Sequence, residues 1–289
     1  MRYIDLFAGI GGFRLGIQNA FSEKDKSKGS TNSKSRTPQY ARRAFCVYTN
    51  EWDKYASQIY EKNFKDKVDT RDITTIRTDE IPDHDLLCAG FPCQAFSVAG
   101  KRKGFDDTRG TLFFDIARVL KDKRPRYFIL ENVKGLLSHD GGKTFQTILR
   151  VLTDLGYLHQ WQVLNSKDFG VPQNRERVFI VGHLRGTSRP QVFPFEKGNQ
   201  KSIKSNSQGN DIAHTITNTD NHRGSYIKSD LLQGVSNKGA TIRRLTPTEC
   251  ERLQGFPDNW TKGVSDTQRY KMLGNAVTVN VVEAIINRI

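Results

Sequence analysis

The sequence predicts an α/β protein built on a mainly parallel sheet with helices on both faces, and three observations carry that prediction. Short apolar runs alternate with segments of helical period through the first 183 residues. The first run opens directly into a glycine turn and a helix, the start of a βα unit. The chain has 289 residues, enough for one large core and a smaller appendage.

The elements follow in order. Tyr3-Ile-Asp-Leu-Phe7 reads as a buried strand, followed by Ala-Gly-Ile-Gly-Gly12 and a helix with Phe13, Ile17, Ala20 and Phe21 on one face. Residues 23–38 contain no aliphatic or aromatic side chain, so they are expected as a disordered loop inserted in the domain. Ala44 to Thr49 is the next strand, Lys54 to Asn63 a helix and Asp85 to Ala89 a third strand. A helical face of Leu112, Phe113, Ile116, Val119 and Leu120 then leads to a strand at Tyr127 to Leu130. A helix from Phe145 to Leu155 and a strand from Arg177 to Gly182 complete the alternation. Residues 185–246 change character: they are polar, with ten Lys and Arg against four Asp and Glu. Helical signals return at Thr246-Pro-Thr-Glu249, a capping box with proline in the first turn. A last helix after Leu273-Gly-Asn275 places Val277, Val281, Ala284 and Ile285 on one face. The expected division is a larger domain from 1–183 and 258–289, and a small domain from 184–257.

Forty-five basic against 31 acidic residues leave a net charge of +14, which favours a polyanionic partner such as nucleic acid. No apolar run is long enough for a membrane span, and Asp5, the glycines and Arg14 interrupt any signal-peptide core. A cytoplasmic protein without membrane contact is expected. Cys46, Cys88, Cys93 and Cys250 are expected as reduced thiols, and none has zinc-ligand spacing, so no metal is expected.

In parallel sheets ligands sit beyond the carboxyl ends of the strands. Phe7-Ala-Gly-Ile-Gly-Gly12 brings backbone amides to that edge, without the spacing of a dinucleotide fingerprint. The second strand ends in Asn50-Glu51-Trp52, where nucleoside-binding folds place the acid that holds ribose. Together these two features suggest an adenosine-containing cofactor without a pyrophosphate. Cys93, in Gly90-Phe-Pro-Cys-Gln-Ala-Phe-Ser97, is displayed at the same edge as a candidate nucleophile; a free thiol of pKa about 8.5 then needs cationic neighbours. Residues 94–110, with Gly100, Gly104, Gly110 and four basic residues, have the makings of a mobile basic lid. Glu131 ends the fourth strand as a candidate proton donor, and Arg175 and Arg177 alternate on an extended segment, placed to hold a base carbonyl, a phosphate or a thiolate.

The ordered set resembles the bacterial C5-cytosine DNA methyltransferases of restriction-modification systems. The motifs that carry the resemblance are Asp5 to Gly12, Asn50-Glu-Trp52, Asp72-Ile73, Gly90 to Ser97, Glu131-Asn-Val133, Gln173-Asn-Arg-Glu-Arg177, Arg244 to Pro257 and Gly274-Asn-Ala-Val277. The resemblance implies an S-adenosylmethionine-binding catalytic domain facing a small target-recognition domain across a DNA cleft. It implies Phe7, Gly9, Ile10, Gly12, Glu51, Trp52, Asp72, Ile73, Pro92, Leu112, Asn275 and Val277 as cofactor contacts. Cys93, Glu131, Arg175 and Arg177 are implied as the catalytic set, and Gln94, Ser97, Arg109 and Thr215 as DNA contacts.

The chemistry accounts for these residue types. Cytosine C5 is a weak nucleophile; addition of the Cys93 thiolate to C6, with Glu131 at N3, makes C5 electron-rich. Loss of the C5 proton then expels the thiolate. The base has to be flipped out of the duplex to be reached. The expected partner is double-stranded DNA, with a cognate restriction enzyme acting on the same sequence but not touching this chain, which is expected as a monomer. A tRNA methyltransferase on the same scaffold and a silent DNA-binding relative are the alternatives. The variable region is short for the family, and the insert at 23–38 has no role that the sequence supplies.

Overall fold

The computed structural model describes residues 1–26, 44–92, 112–188, 190–196, 213–214 and 244–289. Its main sheet has six strands in the order β2-β1-β3-β4-β7-β5. These are β1 (Arg2–Leu6), β2 (Phe45–Asn50), β3 (Leu86–Gly90), β4 (Tyr127–Val133), β5 (Tyr157–Asn165) and β7 (Glu176–Leu184); β6 (Gln173–Asn174) and β8 (Ala213–His214) form a separate parallel pair. Four of them, β2, β1, β3 and β4, are mutually parallel, while β7 pairs antiparallel with both β4 and β5. The mainly parallel sheet is therefore as the alternation predicts.

Side chains alternate strictly across the sheet, as extended backbone requires. Ile4, Leu6, Leu87, Ala89, Phe128, Leu130, Val178 and Ile180 pack on one face with α3 (Leu112–Lys123) and α4 (Lys143–Asp154). Tyr3, Leu86, Cys88, Ile129, Phe179 and Val181 pack on the other with α1 (Gly12–Lys26) and α7 (Val279–Ile286). Helices thus cover both faces. Gly182, opposite Phe128 in register, leaves room for that ring; a Cβ there would lie 2.2 Å from it.

Three expectations need correction. The strand β5 was not foreseen, because Gln160 and Gln162 break its apolar pattern. Both amides instead pair with backbone of residues 190–195: Gln160 accepts from Phe193 N and donates to Pro190 O, and Gln162 accepts from Phe195 N and donates to Phe195 O. Helix α1 runs on to Lys26, into the segment expected as loop; the rest of the polar insert lies outside the described residues. The domain boundary at 257 falls inside a packed unit. Leu245, Cys250, Leu253 and Phe256 share a core with Ile10, Ala56 and Ile59, and with Met272 and Leu273. Among the described residues, 244–257 belong to the main body. Its helix α5 (Pro247–Leu253) begins with the expected capping box, Thr246 Oγ1 accepting from Glu249 N and Glu249 Oε2 from Thr246 N.

Candidate active site

A cavity of about 930 Å³ opens at the carboxyl edge of the parallel strands, within the size range of small-molecule sites. Phe7 ends β1 with φ +55°, a left-handed conformation that costs a bulky residue about 1–3 kcal/mol and ends the strand one residue earlier than predicted. That turn carries the chain through Gly9 to α1. Gly9 N donates to Glu51 Oε2 at 2.8 Å, and Asp53 N donates to Glu51 Oε1 at 2.7 Å. Burial raises the Glu51 carboxyl, and these two amides pull it back part of the way. Trp52, 72% exposed, stands at the rim. Asn50 donates to the carbonyls of Asp69 and Arg71, which brings the Asp72-Ile73 corner to the wall; Asp72 caps the turn that follows, accepting from Thr74 N.

At the other end, Glu131 lies two residues before the carboxyl end of β4 and is only 8% exposed. Because β7 runs against β4, the start of β7 arrives at the same edge where β4 ends, and Arg177 Nε lies 3.1 Å from Glu131 Oε1. Burial raises the Glu131 carboxyl, opposed first by Arg177 and then by Arg175; the net direction is up, so a proton stays longer than on an ordinary glutamate. Arg175 is 1% exposed, and its Nη2 donates to the carbonyls of Gly274 (2.9 Å) and Ala276 (2.8 Å). Burial and the like charge of Arg177 push its guanidinium down to about 9, so it stays charged at neutral pH.

The cavity brings together Phe7, Gly9, Glu51, Trp52, Asp72, Ile73, Pro92, Leu112, Glu131, Arg175, Arg177 and Asn275 from the sequence-derived set. Ile10, Gly12 and Val277, expected among the cofactor contacts, stand behind its wall. Ile10 is buried beside α2 (Lys54–Phe64) and α5, and a Cβ on Gly12 would lie 2.6 Å from Val277 O, so glycine there lets α1 abut the 277 backbone. Cys93, Gln94, Ser97, Arg109 and Thr215 lie outside the described residues.

Sequence reasoning missed Lys271, whose Nζ lies 2.9 Å from Asp53 Oδ2 at the edge of the cavity. Asp53 also caps α2 through Oδ1, accepting from Tyr55 N and Ala56 N. Burial raises Asp53, but Lys271 and the α2 amides outweigh it and hold the carboxyl below its ordinary value. Asn132 was missed as well. It donates to Phe91 O at 2.9 Å and so fixes the backbone leading to Pro92. Its place in Glu131-Asn-Val133 was visible; the carbonyl 41 residues away was not.

This pairing of a glutamate held by the glycine turn with a second glutamate under an arginine agrees with the relationships of the chain. The profile of the C-5 cytosine-specific DNA methylases matches residues 1–233 and 186–289. The chain belongs to that family. Among the relatives of this cytosine methylase is the type II methyltransferase M.SsoII of Shigella sonnei, 41% identical over 100% of this chain and 79% of its own length. Another is M.HhaI of Haemophilus parahaemolyticus, 36% identical over 99% of this chain and 93% of its own. The fold is shared with the Schizosaccharomyces pombe Dnmt2 methyltransferase, at a TM-score of 0.71 and 22% identity over 99% of this chain and 97% of that one. The cytosine methylase is thus a DNA (cytosine-5-)-methyltransferase.

Proposed function

We propose that this cytosine methylase acts through Cys93, Glu131 and Arg177 on a cytosine flipped from duplex DNA, with S-adenosylmethionine held at the Glu51 end of the cavity. The observation that carries the reading is that one cavity joins Glu51, with its lone pairs presented at a nucleoside-binding edge, to the Glu131–Arg177 pair 3.1 Å apart. The residues fit the cofactor. Glu51 is buried and oriented by two amides to accept ribose hydroxyls, Phe7 and Trp52 offer aromatic faces for adenine, and Asn275 stands at the mouth. No group of three or more potential metal ligands occurs among the described residues.

When bound, S-adenosylmethionine supplies a methyl group made electrophilic by a positive sulfur. The rest of the chemistry belongs to this chain. The Cys93 thiolate adds to cytosine C6. Glu131, its carboxyl raised by burial, holds a proton at N3, and Arg177, 3.1 Å from it, offers its donors to the base and stabilises the carboxylate left when that proton moves. C5 is thereby activated for methylation. Removal of its proton afterwards releases the thiol.

The type II relatives support a role in protecting DNA from a cognate restriction enzyme; a monomer working in the cytoplasm is part of the same proposal. The test is label transfer from S-adenosylmethionine to duplex DNA and to tRNA in parallel. Transfer to duplex DNA alone, with a trapped covalent adduct when 5-fluorocytosine replaces the target, is expected; transfer to tRNA alone overturns the reading. Sequencing methylated cytosines in cells expressing the chain then gives the target.

A further inference from the structure

The two arginines of Gln173-Asn-Arg-Glu-Arg177 both line the cavity but bond to different partners. Arg177 goes to Glu131. Arg175, almost without solvent contact, places Nη2 between two carbonyls, those of Gly274 and Ala276, which flank Asn275. A guanidinium between main-chain carbonyls satisfies acceptors that the C-terminal turn of α6 (Asp266–Asn275) otherwise leaves open.

The same turn is gripped a second time. Ser166 N donates to the carbonyl of Arg175 at 3.0 Å, and the Ser166 hydroxyl meets Thr278 Oγ1 at 2.8 Å. Thr278 donates to Gln254 Oε1 at 2.7 Å, while Gln254 Nε2 donates to Leu273 O at 2.8 Å and Gln254 O accepts from Val279 N at 3.0 Å. Residues 273–279 are thus held from outside by side chains of three other segments, and Asn275 is the exposed residue at their crest. Such a buried hydrogen-bonded network fixes one backbone arrangement.

We infer that Arg175 is a positioning residue for the cofactor end: by clamping the carbonyls on either side of Asn275 it sets the turn that closes over S-adenosylmethionine, leaving the base-directed work to Arg177. This rests on the placement of the cofactor proposed above. It makes the segment at the start of β7 a physical link between the two ends. A change at Arg175 is then felt in cofactor affinity without any DNA present.

The experiment is equilibrium binding of S-adenosylmethionine and S-adenosylhomocysteine, by calorimetry, to the full-length wild type, Arg175→Lys, Arg177→Lys, Asn275→Ala and the Arg175→Lys/Asn275→Ala double variant, with thermal midpoints measured alongside. Expected are a loss of about tenfold in cofactor affinity for Arg175→Lys, little change for Arg177→Lys, and a further loss under about threefold when Arg175→Lys is added to Asn275→Ala, because coupled sites are not additive. Single-turnover methylation at saturating cofactor should recover more for Arg175→Lys than for Arg177→Lys. Equal affinity of wild type and Arg175→Lys overturns the inference, as does full additivity with Asn275→Ala, which would mark a general structural effect. If Arg175→Lys does not fold, Arg175→Gln, whose amide donates to the same carbonyls, is read by the same criteria. Failure of the wild type itself to bind S-adenosylmethionine would instead strike at the proposed cofactor site.

Discussion

At the end of the cavity proposed for the cofactor an acidic side chain is held by main-chain N–H groups, Glu51 by Gly9 and Asp53, whereas at the end proposed for the base an acidic side chain faces a guanidinium, Glu131 beside Arg177. The difference is one of what can change. Backbone donors neither titrate nor mutate away, so the first arrangement tolerates altered side-chain neighbours. The second depends on long side chains and on their charges, and so is where substitution and pH act hardest.

The contrast is broken most visibly at the base end. Cys93→Ala should lower methyl transfer by at least about 10³-fold, and Glu131→Gln by about 10²–10⁴-fold, both with cofactor affinity retained; single-turnover rates and calorimetry on the same preparations check this. Since the Glu131 carboxyl is raised, the wild-type rate should fall on the alkaline side as that proton is lost, and Glu131→Gln should flatten that limb.

A second test concerns Asp5, beneath the glycine turn. It is fully buried, neither carboxylate oxygen has a hydrogen-bond partner among the described residues, and burial, opposed by Arg14 and reinforced by Glu51, pushes it to about 8. The folded chain keeps a proton that the unfolded chain releases near pH 4. The stability due to neutral Asp5 is therefore whole below that pH and is lost as pH rises toward 8. Denaturant titrations at pH 5, 7 and 9 should show wild type losing a few kcal/mol relative to Asp5→Asn across that window; parallel curves would show that Asp5 stays ionised in the fold.

The smaller effects sharpen the cofactor end. Removing the charge in Glu51→Gln should weaken S-adenosylmethionine about ten- to a hundredfold, as loss of a hydrogen bond to a charged group does. Trp52→Ala, which removes one exposed face, should cost about five- to tenfold and abolish any ligand-dependent change in fluorescence from that ring.

Much of this site was legible in the sequence because parallel strands deliver their final residues to one edge. Phe7, Glu51 and Glu131 could be placed there from the strands that precede them. What stayed hidden was whatever depends on distant backbone. The carbonyls that receive Arg175 lie 99 and 101 residues away, and the partner of Lys271 lies 218 residues away. Gly12 and Val277 stand in two motifs far apart in sequence, and that their backbones meet, a Cβ on Gly12 lying 2.6 Å from Val277 O, could not be seen from either. The strand β5 was overlooked because glutamines that look solvent-facing are in fact bonded to the chain that follows β7.

That last pairing bears on what can vary in this chain. Residues 190–195 are tied down by Gln160, Gln162 and the Arg288 guanidinium, and Leu245 is tied down through its carbonyl, which accepts from the Tyr270 hydroxyl at 2.6 Å. Both ties are made by the packed body itself, so they hold the same two points of the chain whatever sequence lies between, much as a chuck stays closed while the bit is changed.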